Sequence, residues 1–417
     1  MGRIRANKWV KLSVLILGGG TIYKLCSLKD AFYIPMMTHF ELTNEQIGIA
    51  MSVYGIVQTI GYIPSMYISD RFSKKILIPM SLISVGVVGL YFSTFPSFIG
   101  ILLCFALFAV FAEMTYWPVL LKTVRLLGTK EEQGRMFGFL EGGRGVVDTF
   151  VAFSALGIFL YLGSGAFGLR CAIYFYSGIV ILIGILSIFF IDGKEVNVEV
   201  KEPKDENKEV LKGIVRCVKI PEIWLISFII FFVYVAYCGL TFFIPFLRTI
   251  YGLPLALVGA YGIVNQYGLK LIGGPVGGFL ADKVFHSPLK CLRLVLLIGS
   301  IAMVGFIFLP HQNMNAYIGM VATLGFGAFV FVMRAIFFAP MEEVNIPKDI
   351  AGTAMAIACF VGYAPNMFAY TIFGRLLDTI PGITGFNFIF IIMGIALFIG
   401  FMLSCVLLKR INKKIIC

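Results

Sequence analysis

The chain has 417 residues, 59% of them hydrophobic and 13% charged, with a mean hydropathy of +0.94. This leaves too little polar surface for a soluble domain, and the apolar residues recur in runs long enough to cross a hydrocarbon core of about 30 Å. The net charge of +12 does not point to nucleic acid, because the cations gather in loops on one side of those runs.

Runs such as Ile101–Val110 and Phe388–Leu397 lack the alternation of a membrane β-barrel strand. With no water in the bilayer to satisfy backbone groups, the expected fold class is an all-α membrane protein. Twelve spans are predicted. The first, Lys11–Met37, is too long for the roughly 7–15-residue apolar core of a signal peptide. It contains Gly18-Gly19-Gly20, then Lys24 near its middle, then Lys29-Asp30, expected to snorkel toward the outer surface. The second, Gln46–Ile68, carries Tyr54 and Gln58 at membrane depth and runs into Asp70-Arg71. The third is Ile76–Phe95, and the fourth, Phe98–Leu121, carries Glu113. The fifth, Met136–Leu162, places Glu141, Arg144 and Asp148 at i, i+3 and i+7, on one stripe. The sixth is Gly168–Ile191. The polar interval Asp192–Ile220 mixes lysines with aspartates and glutamates, the composition of a solvated linker.

The seventh span, Ile223–Leu247, is followed by the eighth, Leu255–Ala281, which carries Asn265, Gln266, Tyr267 and Lys270 and leads into Asp282-Lys283. The ninth is Cys291–Leu309. The tenth, Ala316–Phe338, carries Arg334 near its end, where it can reach the headgroups. The eleventh and twelfth are Ile350–Leu377 and Phe386–Leu408. The expected organisation is therefore a six-helix half over 1–191, a linker over 192–220 and a second six-helix half over 221–417. Loops with Arg71, Lys74, Lys75, Lys122, Arg125, Lys283 and Lys290 alternate with Thr38–Glu45, Pro96–Ser97 and Pro310–Asn315, which contain no lysine or arginine. Both termini and the linker are therefore expected in the cytoplasm.

Six of the nine cysteines, Cys26, Cys104, Cys171, Cys238, Cys359 and Cys405, sit within apolar runs, and no C-x-x-C occurs. His39, His286 and His311 fall in predicted loops, H-E-x-x-H is absent, and so is the G-x-x-x-x-G-K-[ST] of a nucleotide-driven pump. No metal, cofactor or enzymatic activity is expected.

The two halves echo one another. Met66-Tyr-Ile-Ser-Asp70-Arg71-Phe-Ser73-Lys74-Lys75 follows the second span, and Gly278-Phe-Leu-Ala-Asp282-Lys283 follows the eighth. Tyr54-Gly55 is echoed by Tyr267-Gly268, and Tyr116-Trp117-Pro118 by Phe338-Ala339-Pro340. The chain resembles the major facilitator superfamily, whose loop signature is Gly-x-x-x-Asp-Arg-x-Gly-Arg-Arg. Asp70, Arg71, Lys74 and Lys75 match it, with Met66 and Ser73 in place of its glycines, and Gly278 and Asp282 match it in the second half. The stretch from Tyr116 to Gly145 is similar to a group of bacterial permeases of that superfamily. The resemblance implies twelve helices in two pseudo-symmetric halves. It also implies secondary transport of a small organic solute across the inner membrane by alternating access, in a monomer.

Ionisable residues at membrane depth are expensive and point to function. Lys24, Tyr54, Gln58, Tyr267 and Lys270 are the expected substrate-binding residues, with Lys24 and Lys270 contributed by different halves. Glu113, Glu141, Arg144, Asp148 and Arg334, with Asp70, Arg71 and Asp282 at the loops, are expected in proton coupling or gating. Glu141 and Arg144 also satisfy one another as a structural ion pair, and Asp70 also serves as a topology anchor. Lys24, Lys270 and Arg334 have no acid at helical spacing, so an anionic solute, a carboxylate or phosphate, is the first expectation. The alternative is a proton-coupled permease for a neutral metabolite such as a sugar or nucleoside, with Glu113, Asp148 or Asp30 carrying the proton. The expected partners are thus a small-molecule substrate, a coupling proton or counter-anion, and membrane lipid. A sensor on the same fold is a third reading, and it would call for a cytoplasmic module larger than this linker.

Overall fold

A computed structural model of the chain describes residues 7–128, 132–191, 215–311, 314–344, 346–347 and 350–416. Residues 192–214, the greater part of the expected linker, lie outside the described residues, as does the side chain of Asp70. Among the described residues the chain is helical, with no strand.

In chain order, α1 consists of Lys8–Thr21 and Lys29–His39, and α2 is Asn44–Arg71. Next come α3 (Lys74–Phe92), α4 (Phe98–Leu127), α5 (Gln133–Tyr161), α6 (Ala166–Phe190) and α7 (Pro221–Tyr251). α8 runs from Leu255 to Val284 in four segments, followed by α9 (Pro288–Ile307), α10 (Ala316–Ile336), α11 (Ala351–Thr379) and α12 (Ile383–Ile416). Nine stretches among the described residues, in α3–α7 and α9–α12, are long and apolar enough to cross a membrane. The other three, α1, α2 and α8, bring the total to the expected twelve. They carry Lys24, Tyr54, Gln58, Tyr267 and Lys270, the expected substrate-binding residues, together with Lys29 and Asp30.

The helices fall into two compact units. Unit 1 is Met1–Val196 with Leu253–Gly268, and unit 2 is Asn197–Gly252 with Leu269–Cys417. The first part of α8 thus packs with α1 and α5 in unit 1.

In unit 1, Phe32 meets Phe159 and Tyr176 edge-on, and Phe92, Phe105 and Phe108 form a second aromatic cluster. The triple glycine has a specific task here. A β-carbon on Gly19 would lie 2.9 Å from Cδ of Arg144, and one on Gly20 2.7 Å from Cβ of Val147. Only glycines let α5 approach α1 this closely. Thr43 and Gln46 form a reciprocal capping box at the start of α2. Ser73, where the superfamily signature has glycine, accepts from the Lys75 amide and caps α3.

In unit 2, Phe243, Phe246, Phe306 and Phe390 interlock. Gly252 ends α7 with φ of +66°, the left-handed geometry glycine adopts without strain. Glu343 accepts from Ser287 Oγ and, at 2.8 Å, from the Leu289 amide. A carboxylate therefore meets the positive end of α9.

Candidate functional site

Three interruptions of regular α-helix in unit 1 coincide with three expected site residues. Between Thr21 and Lys29, α1 gives way to turns with bonds of the i to i−3 kind, Lys24 N–H to Thr21 O and Asp30 N–H to Ser27 O. Lys24 sits in that break. Val110–Tyr116 of α4 is a π-helix containing Glu113, and Val264–Gly268 of α8 is a π-helix containing Tyr267. Such widened turns re-aim side chains and frequently mark functional positions.

The break gathers charge. Lys24 Nζ lies 2.8 Å from Asp148 Oδ1 of α5, with the two side chains 1% and 6% exposed. The same ammonium lies 3.3 Å from the ring centroid of Tyr267, a cation–π contact. Tyr267 donates its hydroxyl to Asp30 Oδ2 at 3.1 Å, and Asp30 Oδ1 takes Lys29 Nζ at 2.6 Å. Two lysines and two aspartates thus bracket one tyrosine, and their formal charges cancel. Burying four charges is tolerable only on such terms, since an unpaired one would cost several kcal/mol.

Elsewhere in unit 1, Tyr54 donates to Glu113 Oε1 at 2.9 Å, and Gln58 donates to the Tyr62 hydroxyl at 3.3 Å. Arg144 donates through Nη1 to Glu141 at 2.8 Å and through Nε to the Gly19 carbonyl at 3.1 Å. Its guanidinium lies 4.5 Å from the Trp117 ring centroid.

Unit 2 holds a cation of a different kind. Arg334 of α10 donates to the Tyr234 hydroxyl at 3.1 Å, and its guanidinium lies 3.8 Å from the ring centroid of Tyr237. Phe331 flanks it at 5.8 Å, and Tyr363 packs on Tyr234 with centroids 4.5 Å apart. No carboxylate among the described residues pairs with it. Lys270 and Asp282, on α8 in unit 2, are exposed, as is Arg71 at the end of α2. No cluster suited to a metal ion occurs among the described residues.

The Major Facilitator Superfamily model matches residues 30–370. The chain belongs to the Major Facilitator Superfamily. As a facilitator it is a membrane transporter for a small molecule rather than an enzyme. It is 51% identical over 408 residues to the inner membrane protein YihN of Escherichia coli (strain K12), a match covering 98% of this chain and 97% of that protein. It is 30% identical over 383 residues to the inner membrane protein YqcE of the same organism, covering 90% and 88%. Its fold is similar to the crystal structure of a bacterial homolog to the human lysosomal transporter Spinster, in an inward-facing and occupied conformation. That match has a TM-score of 0.72 and 14% identity and covers 95% of each chain.

Seen in this facilitator, the charges depart from sequence expectation in three places. Lys24 does have an acid partner, but Asp148 comes from α5, beyond the reach of any spacing argument along α1. Lys29 and Asp30 do not snorkel outward; each is 5% exposed, and they pair with one another. Arg334 is held by aromatic rings of its own unit rather than extending freely toward headgroups. The Glu141–Arg144 pair forms as its spacing indicates. Tyr234, Tyr237 and Tyr363 escaped the sequence reading. Tyr234 and Tyr237 carry a legible signal, since an i, i+3 spacing on an apolar helix puts both on one face.

Proposed function

We propose that this facilitator is a secondary transporter of a small organic anion, working by alternating access, and that Arg334 receives the anionic group. The relatives named as inner membrane proteins support the inner membrane as its location. The cation-rich loops support cytoplasmic termini. The observation that carries the reading is the setting of Arg334. A guanidinium stacked on Tyr237 and bonded to Tyr234, with no carboxylate partner among the described residues, keeps charge and donors for a ligand. Lys24 is already neutralised by Asp148, so in this reading the network around Tyr267 shapes the site while Arg334 meets the solute. Lys270, exposed on α8, is the second cation proposed to line the solute path.

The test is transport in proteoliposomes with competing organic anions and neutral solutes. Anions compete with uptake and neutral solutes do not. Losing the partner of a desolvated anion costs on the order of 2–5 kcal/mol, so Arg334→Gln weakens anion binding by roughly thirtyfold or more. Arg334→Lys restores only part of it, because a point charge neither stacks nor forks. Competition by neutral solutes alone, or an Arg334→Gln protein that binds anions like the wild type, overturns the reading.

One observation favours the neutral-solute alternative. Glu113 sits in the α4 π-helix, is partly exposed and accepts from Tyr54 at 2.9 Å, an arrangement suited to a carboxyl that gains and loses a proton. Under that reading an imposed pH gradient drives uptake, and Glu113→Gln abolishes the drive.

A further inference from the structure

Unit 2 carries two surface cavities along the side where α7 and α12 pack. At one end is a groove of about 420 Å³, open to the surface. Val218, Trp224, Phe228 and Val406 form its apolar lining, and Lys219 and Arg410 contribute its cations. The indole N–H of Trp224 donates to the Val218 carbonyl at 2.9 Å, which fixes the segment before α7 as one wall. Lys219 is exposed and has no acidic partner among the described residues. Arg410 is half-exposed. Its nearest carboxylate oxygen, on Glu222, is 3.7 Å away, too long for a hydrogen bond. Arg410 is ion-paired with that carboxylate through Nη1, and the same residue lines the groove.

Further along, where α7 and α12 meet α11, is a second cavity of about 230 Å³, lined only by apolar side chains, among them Phe232, Val235, Phe368, Ile395 and Ile399. Phe228 to Phe232 on α7, and Val406 through Met402 to Ile399 on α12, follow at three- or four-residue spacing. Met402 and Ile399 are exposed, so apolar side chains lie on the faces of α7 and α12 between the two cavities. From Trp224 to Val235 the helix rises about 16 Å. That matches the depth of one leaflet, half of a core of about 30 Å. The polar end of this apolar track also carries Lys409 and Lys413, on the side of the cation-rich loops.

We propose that the seam between α7 and α12 is a specific site for an anionic glycerophospholipid. The phosphodiester sits between Lys219 and Arg410, Trp224 lies at the level of the glycerol backbone, and one acyl chain fills the track to Val235. Length, apolarity and a cationic rim at one end together select a lipid with a negative headgroup. A free phosphate would use the rim and leave the track empty, and a zwitterionic lipid would bring its own cation against the two already there.

The experiment uses the full-length protein, purified and delipidated, with retained lipid measured by native mass spectrometry after addition of phosphatidylglycerol or phosphatidylcholine. Wild type retains phosphatidylglycerol at least fivefold better, and inorganic phosphate does not displace it. Lys219→Gln, at an exposed position, reduces that preference severalfold. Arg410→Gln removes a cation paired with the buried Glu222 and thereby perturbs the fold as well as the groove, so Val406→Trp is the second variant. It fills the groove without changing a charge and reduces retention of phosphatidylglycerol while the elution profile stays that of the folded protein. Equal retention of the two lipids by wild type, displacement by inorganic phosphate, or full retention in both variants overturns the proposal.

Discussion

Replacing Lys24 by methionine removes the ammonium while keeping an unbranched four-atom stem, and it leaves Asp148 buried without the Lys24 ammonium. At 2.8 Å the pair attracts with about 6 kcal/mol at an effective dielectric of 20, before desolvation is subtracted. Breaking a buried pair from one side typically costs about 3–5 kcal/mol, because the remaining charge is stranded. The Tyr267 contact adds to the loss, since a desolvated cation–π pair is worth about 2 kcal/mol. Lys24→Met and Asp148→Leu are each expected to destabilise the purified protein by about 3–5 kcal/mol in a denaturant titration in detergent. The double variant is expected to be more stable than either single one, because it leaves no charge unpaired. Asp30, Lys29 and Tyr267 remain in place, so recovery stays incomplete. Single variants within about 0.5 kcal/mol of wild type would show that water already screens the pair, and the argument from burial would fall. A double variant whose loss is the plain sum of the two would refute the pairing itself.

Two further outcomes follow from the loops of unit 2. His311 is 2% exposed, bonded to Tyr251 at 2.8 Å and enclosed by Phe246 and Phe306, and this burial pulls its pKa below the ordinary 6.5. The unfolded chain therefore binds a proton first as the medium is acidified. The stability present above pH 6.5 declines as the pH falls toward the lower folded value, and His311→Gln flattens that part of a pH series of unfolding midpoints. Glu343 holds the α9 terminus through a charged acceptor, so Glu343→Ala is expected to cost about 1.5–3 kcal/mol in the same denaturant titration, with Glu343→Gln falling between it and wild type.

The all-helical class and the number of helices were legible in the sequence for a physical reason. A bilayer permits few backbone solutions, so apolar run length speaks directly to span. The Glu141–Arg144 pair was legible because a helix brings i and i+3 together wherever it sits. The buried ionisable residues were legible as unexpected residue types within apolar runs, but their partners were not. Lys24 and Asp148 lie 124 positions apart, and Tyr267 and Asp30 lie 237 apart, separations at which no local spacing predicts contact. The same limit hid which cation is neutralised: along their own helices Lys24 and Arg334 looked alike. Packing of α1 against α5 gave Lys24 a carboxylate, while packing of α10 against α7 surrounded Arg334 with tyrosines. Nor does the string of residues display the unwound turns of α1 or the π-helical stretches of α4 and α8, because their backbone bonds are redistributed by neighbours rather than by local propensity. Composition and period therefore settled the helices and their number. Contacts between distant helices decided which charges are paired with a carboxylate within the fold and which meet aromatic rings instead.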